Sequence, residues 1–123
     1  MNTFSKIEVQ RFVQEGFIVK HHFFDASEVE IMQKETNRLL EEGTFRNVST
    51  DEDGNPSETS QNLQLIPLYD QSRIFRALPF QEKMIRAVSE LIGDPYILRL
   101  DQIFVKPTRN FIGTSWNQEK AYF

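Results

Sequence analysis

Two matched helix starts constrain this chain most. Phe4-Ser5 is followed by Glu8-Val9, and Phe24-Asp25 by Glu28-Val29, so each capping residue stands three positions ahead of a glutamate, with apolar residues outside the pair. In such a capping box the Ser or Asp side chain accepts the N–H of the third helical residue. The Glu side chain reaches back to the N–H of the cap, and the flanking apolar residues close over the first turn. Phe12 and Val13 extend the apolar side of the first helix, and Gly16 ends it. Val29, Met32, Leu39 and Leu40 lie near one face of the second, which Gly43 ends. Between the two helices, Phe17-Ile-Val-Lys-His-His-Phe-Phe24 is rich in β-formers and reads as a strand.

Beyond Gly43 the apolar pattern lapses. Residues 44–62 hold the acidic, turn-rich run Asp51-Glu-Asp-Gly-Asn-Pro-Ser-Glu-Thr-Ser60 and are expected to form a mobile loop. Leu63 to Leu68 reads as a short strand, and Asp70 can cap a short helix through Ala77. Pro79 suits the first turn of a further helix. Phe80, Met84, Ala87, Val88 and Leu91 trace its buried side, and Gly93-Asp94-Pro95 stops it. Two strands are expected next, at 96–106 and roughly 114–123. Residues 1–123 thus read as a single or partial domain, mainly helical over 1–93 and opening a β-sheet core over 94–123. Helices first and strands last predict an α+β fold, with the helices packed on one side of a largely antiparallel sheet.

Eleven Phe in 123 residues, with 39% hydrophobic and 26% charged residues, supply a core and argue against global disorder. The net charge of −4 leaves no basic stripe for nucleic acid. No apolar run approaches the roughly 18 residues of a membrane helix, and Met1-Asn-Thr-Phe-Ser-Lys-Ile-Glu8 has no apolar signal core. The absence of Cys removes disulfides and thiolate metal sites. A cytoplasmic protein fits these facts.

Side chains alternate across a strand. Leu98, Leu100, Gln102, Phe104 and Lys106 therefore share one face of the 96–106 strand, apolar but for Gln102 and Lys106. Lys106 reads either as a cation poised for an acid ligand or as a lysine snorkelling from the strand end. Asn117 and Glu119, two apart, would also share a strand face, either as a solvated polar pair or as a ligand pair. An H-x-D pair on a strand aims an imidazole and a carboxylate at one point, and a distant second His completes the facial triad of non-haem iron oxygenases. His21 and His22 are adjacent, so on a strand they face opposite ways and cannot chelate. Asp51, Asp53 and Asn55 have the spacing that opens an EF-hand loop, but Pro56 and Asn62 occupy its Gly and Glu positions. Asn47-Val48-Ser49 is a glycosylation sequon, relevant only with secretion. Arg73, Arg76, Lys83 and Arg86 read as a solvated positive face.

Lys106-Pro107 followed by Trp116-Asn117-Gln118-Glu119-Lys120-Ala121-Tyr122-Phe123 resembles the K-P and W-H-Q-D-x-x-Y-F segments of phytanoyl-CoA dioxygenase-type enzymes, which use Fe(II) and 2-oxoglutarate. The run from Phe12 to Phe24 before a capped helix, and Leu91-Ile-Gly-Asp-Pro95 before a strand, are similar to the opening of that family. The resemblance covers nearly the whole chain but only the N-terminal half of a family domain. It implies the first half of a double-stranded β-helix, a jelly-roll or cupin-like sheet, and hydroxylation of a small organic substrate. It places Asn117 at the first His ligand and Glu119 at the Asp ligand. It places Lys106 and Gln102 on the 2-oxoglutarate pocket and Trp116 at its wall. Asn offers a neutral amide oxygen where iron prefers imidazole. Glu adds a methylene, shifting its carboxylate by about 1.5 Å against a tolerance of about 0.2 Å. The distal His and the cosubstrate Arg belong to later strands of the family domain. The expectation is therefore an inactive half-domain. The alternative is a non-catalytic module that binds a small acid or a protein partner and self-associates through exposed strand edges.

Overall fold

The structure, a computed structural model, describes residues 2–109. Helix α1 spans Lys6–Glu15 and α2 spans Ala26–Glu41, and both capping boxes form in full. The Glu8 carboxylate accepts the Ser5 N–H at 2.7 Å and the Lys20 ammonium at 3.0 Å, which hold its pKa at about 2. Gly16 closes α1 in the left-handed region, at φ 80°, which favours glycine. The remaining elements are β1 (Arg46–Asn47), β2 (Leu63–Leu65), α3 (Arg73–Ala77), α4 (Glu82–Ile92) and β3 (Ile103–Val105), with a 3-10 turn at Leu78–Phe80 before α4.

The three strands form one antiparallel sheet in the order β1-β2-β3. Arg46 pairs with Gln64, and Leu65, Gln64 and Leu63 pair with Ile103, Phe104 and Val105. Leu39 of α2 is fully buried against Leu65, Leu68 and Phe75, and Met32, Phe45, Leu78 and Ile103 pack around them. Helices α2 and α3 thus cover one face of the sheet. The architecture is α+β, four helices with a small antiparallel sheet, among the described residues.

Several expectations need correction. Residues 17–24 form no strand: 17–20 adopt no regular structure and the chain turns at His21-His22. High β propensity reports a fit to a pleated surface, and this segment has no strand beside it. Phe23 and Phe24 instead stack edge to face at 5.0 Å and receive Lys83 over their rings. The long strand shrinks to Ile103–Val105. Its partner β2 ends ahead of Pro67, which has no N–H to offer a ladder, and the Asp101 side chain takes the Leu68 N–H at 3.1 Å instead. The apolar face assigned to it also lies outward. Phe104 and Leu98 are exposed, while Ile103 packs on the core. Ser72, not Asp70, caps α3. Pro79 sits in the 3-10 turn, α4 starts after it, and Phe80 is exposed rather than buried. Val13 is exposed as well. The strands do not follow all the helices, because β1 and β2 lie between α2 and α3.

The segment 44–62, expected to be mobile, is tied by hydrogen bonds. Asn47 Oδ1 accepts the N–H groups of Ser49 and Asn62, and its Nδ2 donates to the carbonyls of Ser57 and Ser60. Thr50 bridges Pro56, and Asp53 accepts the Asn55 N–H to shape the tip. One amide side chain therefore closes a turn that composition marks as loose.

The core holds one carboxylate. Glu35 lies on the inner side of α2, 8% exposed. Arg38 donates to both of its oxygens, at 2.7 and 2.9 Å, and the Ser72 hydroxyl donates to Oε1. Ser72 is 2% exposed and also accepts the Phe75 N–H to cap α3. Arg38, then Ser72, hold the Glu35 carboxyl down from 4.5 to about 2, against the opposing effect of burial. Because its folded pKa is depressed, the stabilisation is complete above the ordinary carboxylate range and lost as pH falls toward 2. The urea midpoint should therefore fall on acidification from about pH 5, and the fall should be shallower in Glu35→Gln. Leu39→Ala should cost about 2–5 kcal/mol in urea denaturation, since the site has no solvent to fill it.

Candidate functional site

The site implied by sequence centres on the exit of β3. Ile103–Val105 form a strand because Ile, Phe and Val suit a pleated surface and because β2 presents a paired edge. Gln102 stands one residue before β3 and Lys106 one after. Gln64 Nε2 donates to Gln102 Oε1 at 2.9 Å, and Gln64 Oε1 accepts from Arg46 Nη2 at 2.9 Å. Arg46, Gln64 and Gln102 thus form a polar row across the three strands. Gln64 lies opposite Phe104 in the register, so this row shares the face of Phe104. Leu65 and Ile103 point the other way, into the core under α2 and α3. The helix-covered face buries Leu65 and Ile103, and the other face carries the polar row together with the exposed ring of Phe104.

Lys106 is exposed. Alternation past Val105 carries it to the side of Gln102 and Phe104. Of the residues assigned to the cosubstrate pocket, Gln102 and Lys106 are therefore on one side of the sheet, and Gln102 has already engaged its carbonyl oxygen with Gln64. Trp116, Asn117 and Glu119 lie outside the described residues. His21 and His22 are both exposed in a turn, not on a strand edge. Among the described residues no group of three or more His, Asp or Glu side chains is gathered so as to hold a metal ion. No described helix is long and apolar enough to cross a membrane.

An open groove of about 510 Å³ lies on the opposite, helix-covered side, lined by Val29, Met32, Gln33, Thr36, Asn37, Phe75 and Ile103. It carries no carboxylate, imidazole or amine, so it has the means to hold an apolar group but not to move a proton. A second hollow, lined by Glu35, Arg38, Asp70, Ser72, Arg73 and Arg76 among others, has its buried charge neutralised internally by the Arg38–Glu35 pair at 2.7 Å.

The polar row was not foreseen from sequence. Arg46 and Gln64 are eighteen residues apart, and only the register brings them together. A signal for Glu35 did exist: it falls between Met32 and Leu39 at helical spacing, on the apolar side of α2. Since Lys106 is exposed, Lys106→Ala should change stability by no more than about 0.5 kcal/mol in urea denaturation, so any loss of ligand binding in that variant reports binding and not folding. Comparison with protein families, with known proteins and with solved structures returns no match to this chain.

Proposed function

We propose that this chain is the opening part of a phytanoyl-CoA dioxygenase-type jelly roll, cytoplasmic, in which Asn117 and Glu119 stand at the first metal-ligand positions and do not support the oxygenase reaction. The observation that carries this reading is the polarity of the sheet. In a two-sheet sandwich the face turned away from the flanking helices meets the second sheet and lines the interior. Here that face carries Arg46, Gln64 and Gln102 around Phe104, with Lys106 on the same side, while Leu65 and Ile103 turn to the helices. The run from Lys106-Pro107 to Trp116 and Tyr122-Phe123 supports it in sequence.

The donor set does not fit iron. Asn117 supplies a neutral amide oxygen in place of an imidazole, and Glu119 a carboxylate on a longer arm. Hydroxylation with 2-oxoglutarate is therefore not assigned to this chain. What its own residues can do is hold a small acid: the Lys106 ammonium pairs with a carboxylate, and the Gln102 amide N–H groups donate to it. The chain supplied with Fe(II), oxygen and 2-oxoglutarate should form no succinate. Succinate formation together with tight Fe(II) binding would overturn the reading. Retained 2-oxoglutarate binding without iron, abolished in Lys106→Ala, would identify a non-catalytic acid-binding module.

A second reading is a protein-interaction module. Among the described residues the outer edge of β3 has no strand beside it, and Phe104 and Ile97 are 42% and 85% exposed there and just upstream. Unpaired edges favour pairing with another chain. Sedimentation that depends on concentration would favour this reading, and a monomer at all concentrations would count against it.

A further inference from the structure

The first twenty residues are joined to the rest of the molecule in an unusual way. Helix α1 buries none of its own residues and packs on no described element but α4. Its attachment is made by the residues before it. Phe4 is 7% exposed. The Glu90 carboxylate on α4 accepts the Thr3 N–H on Oε1 and the Phe4 N–H on Oε2, both at 2.8 Å. These N–H groups precede the helix and have no helical partner, so one side chain satisfies both.

The connection after α1 divides cleanly. Lys20 belongs to the α1 side: its ammonium bonds Glu8 at 3.0 Å and lies 5.3 Å from the centre of the Phe4 ring. Phe23 and Phe24 belong to the body. Lys83 of α4 donates to the Phe23 carbonyl, pairs with Glu28 at the start of α2, and lies over both rings. Between these two anchored groups stand only His21 and His22, both exposed. His22 has φ 56°, a left-handed conformation that a non-glycine residue adopts at a cost. The strained residue thus sits between a segment that ties back onto α1 and one that ties forward onto α2 and α4.

We infer that residues 2–20 form an N-terminal strap that opens as one unit about His21-His22, held shut by the Glu90 carboxylate and the seated Phe4. Opening keeps the Glu8–Lys20 and Phe4–Lys20 contacts within the strap and the Lys83 contacts within the body. It breaks the α1–α4 packing and the two hydrogen bonds to Glu90. It also releases the left-handed conformation of His22 and uncovers the flank of α4 around Glu90. Local opening of this kind occurs in cooperative units, below the free energy of global unfolding.

Hydrogen exchange of the whole chain, resolved by segment, tests this. The amides of α1 should exchange together and faster than those of α2. Glu90→Ala should speed the α1 amides by at least about tenfold, the loss of two charge-assisted bonds, and leave α2 unchanged. A rise of equal size in α1 and α2 would mean that the strap is no separate unit, and no rise in α1 would mean that Glu90 is not its latch. Either outcome overturns the inference. The hinge is tested separately. His22→Val places a β-branched residue at positive φ and should speed exchange in α1 alone, whereas His22→Gly should not. If the two variants behave alike, the hinge does not lie at His22.

Discussion

A carboxylate inside the core governs how this small domain is assembled. Glu35 joins α2 to α3, because the Ser72 hydroxyl that it receives is the same group that caps α3. Arg38, one turn further along α2, neutralises it and also donates to the Gln71 carbonyl, tying the Arg38 side chain to the loop before α3. Glu35 is 8% exposed, and an uncompensated charge so far out of solvent would be costly. The helices can therefore meet only where Ser72 and Arg38 both reach Glu35. The hydrophobic contacts supply attraction, but they are not directional. The Ser72–Glu35 bond supplies the register. With α2 and α3 fixed, Phe75 and Leu39 define the surface on which Leu65 and Ile103 of the sheet settle.

What sequence disclosed and what it hid follow from the range of the interactions. Both capping boxes and the Gly16 stop were legible because each is complete within a few residues of chain. Residues 17–24 and 96–106 misled for the opposite reason. A strand exists only when another strand stands beside it, and here Phe23 and Phe24 meet Lys83 of a helix instead. Alternation grouped Leu98, Phe104, Gln102 and Lys106 on one face of β3, but it does not say which face the helices cover, and they settle on Ile103. The candidate site was partly legible: Gln102 and Lys106 were named and fall on one side of the sheet. Their neighbours Gln64 and Arg46 were not, since nothing local to either residue announces a cross-strand partner.

The sheet divides the molecule into two chemical environments. The helix side is packed by Leu39, Leu65, Leu68 and Phe75 and opens into the groove beside Ile103. The other side presents amides and a guanidinium in a row, with Gln64 acting as acceptor to Arg46 and donor to Gln102. A row of this kind is directional: it leaves the Gln102 amide N–H groups and the Lys106 ammonium as donors toward any ligand above the sheet.

The Asn47 side chain has a consequence for the sequon it belongs to. Its amide nitrogen already donates to the carbonyls of Ser57 and Ser60, and its oxygen receives Ser49 and Asn62. The Ser49 residue, which completes the sequon, is itself buried. An oligosaccharide attached to that nitrogen would replace one of its two hydrogens and leave the Ser57 or the Ser60 carbonyl without its donor. A glycan at Asn47 would therefore cost the turn one of these two bonds, so the side chain that ties the 57–60 backbone is the same one the sequon would modify.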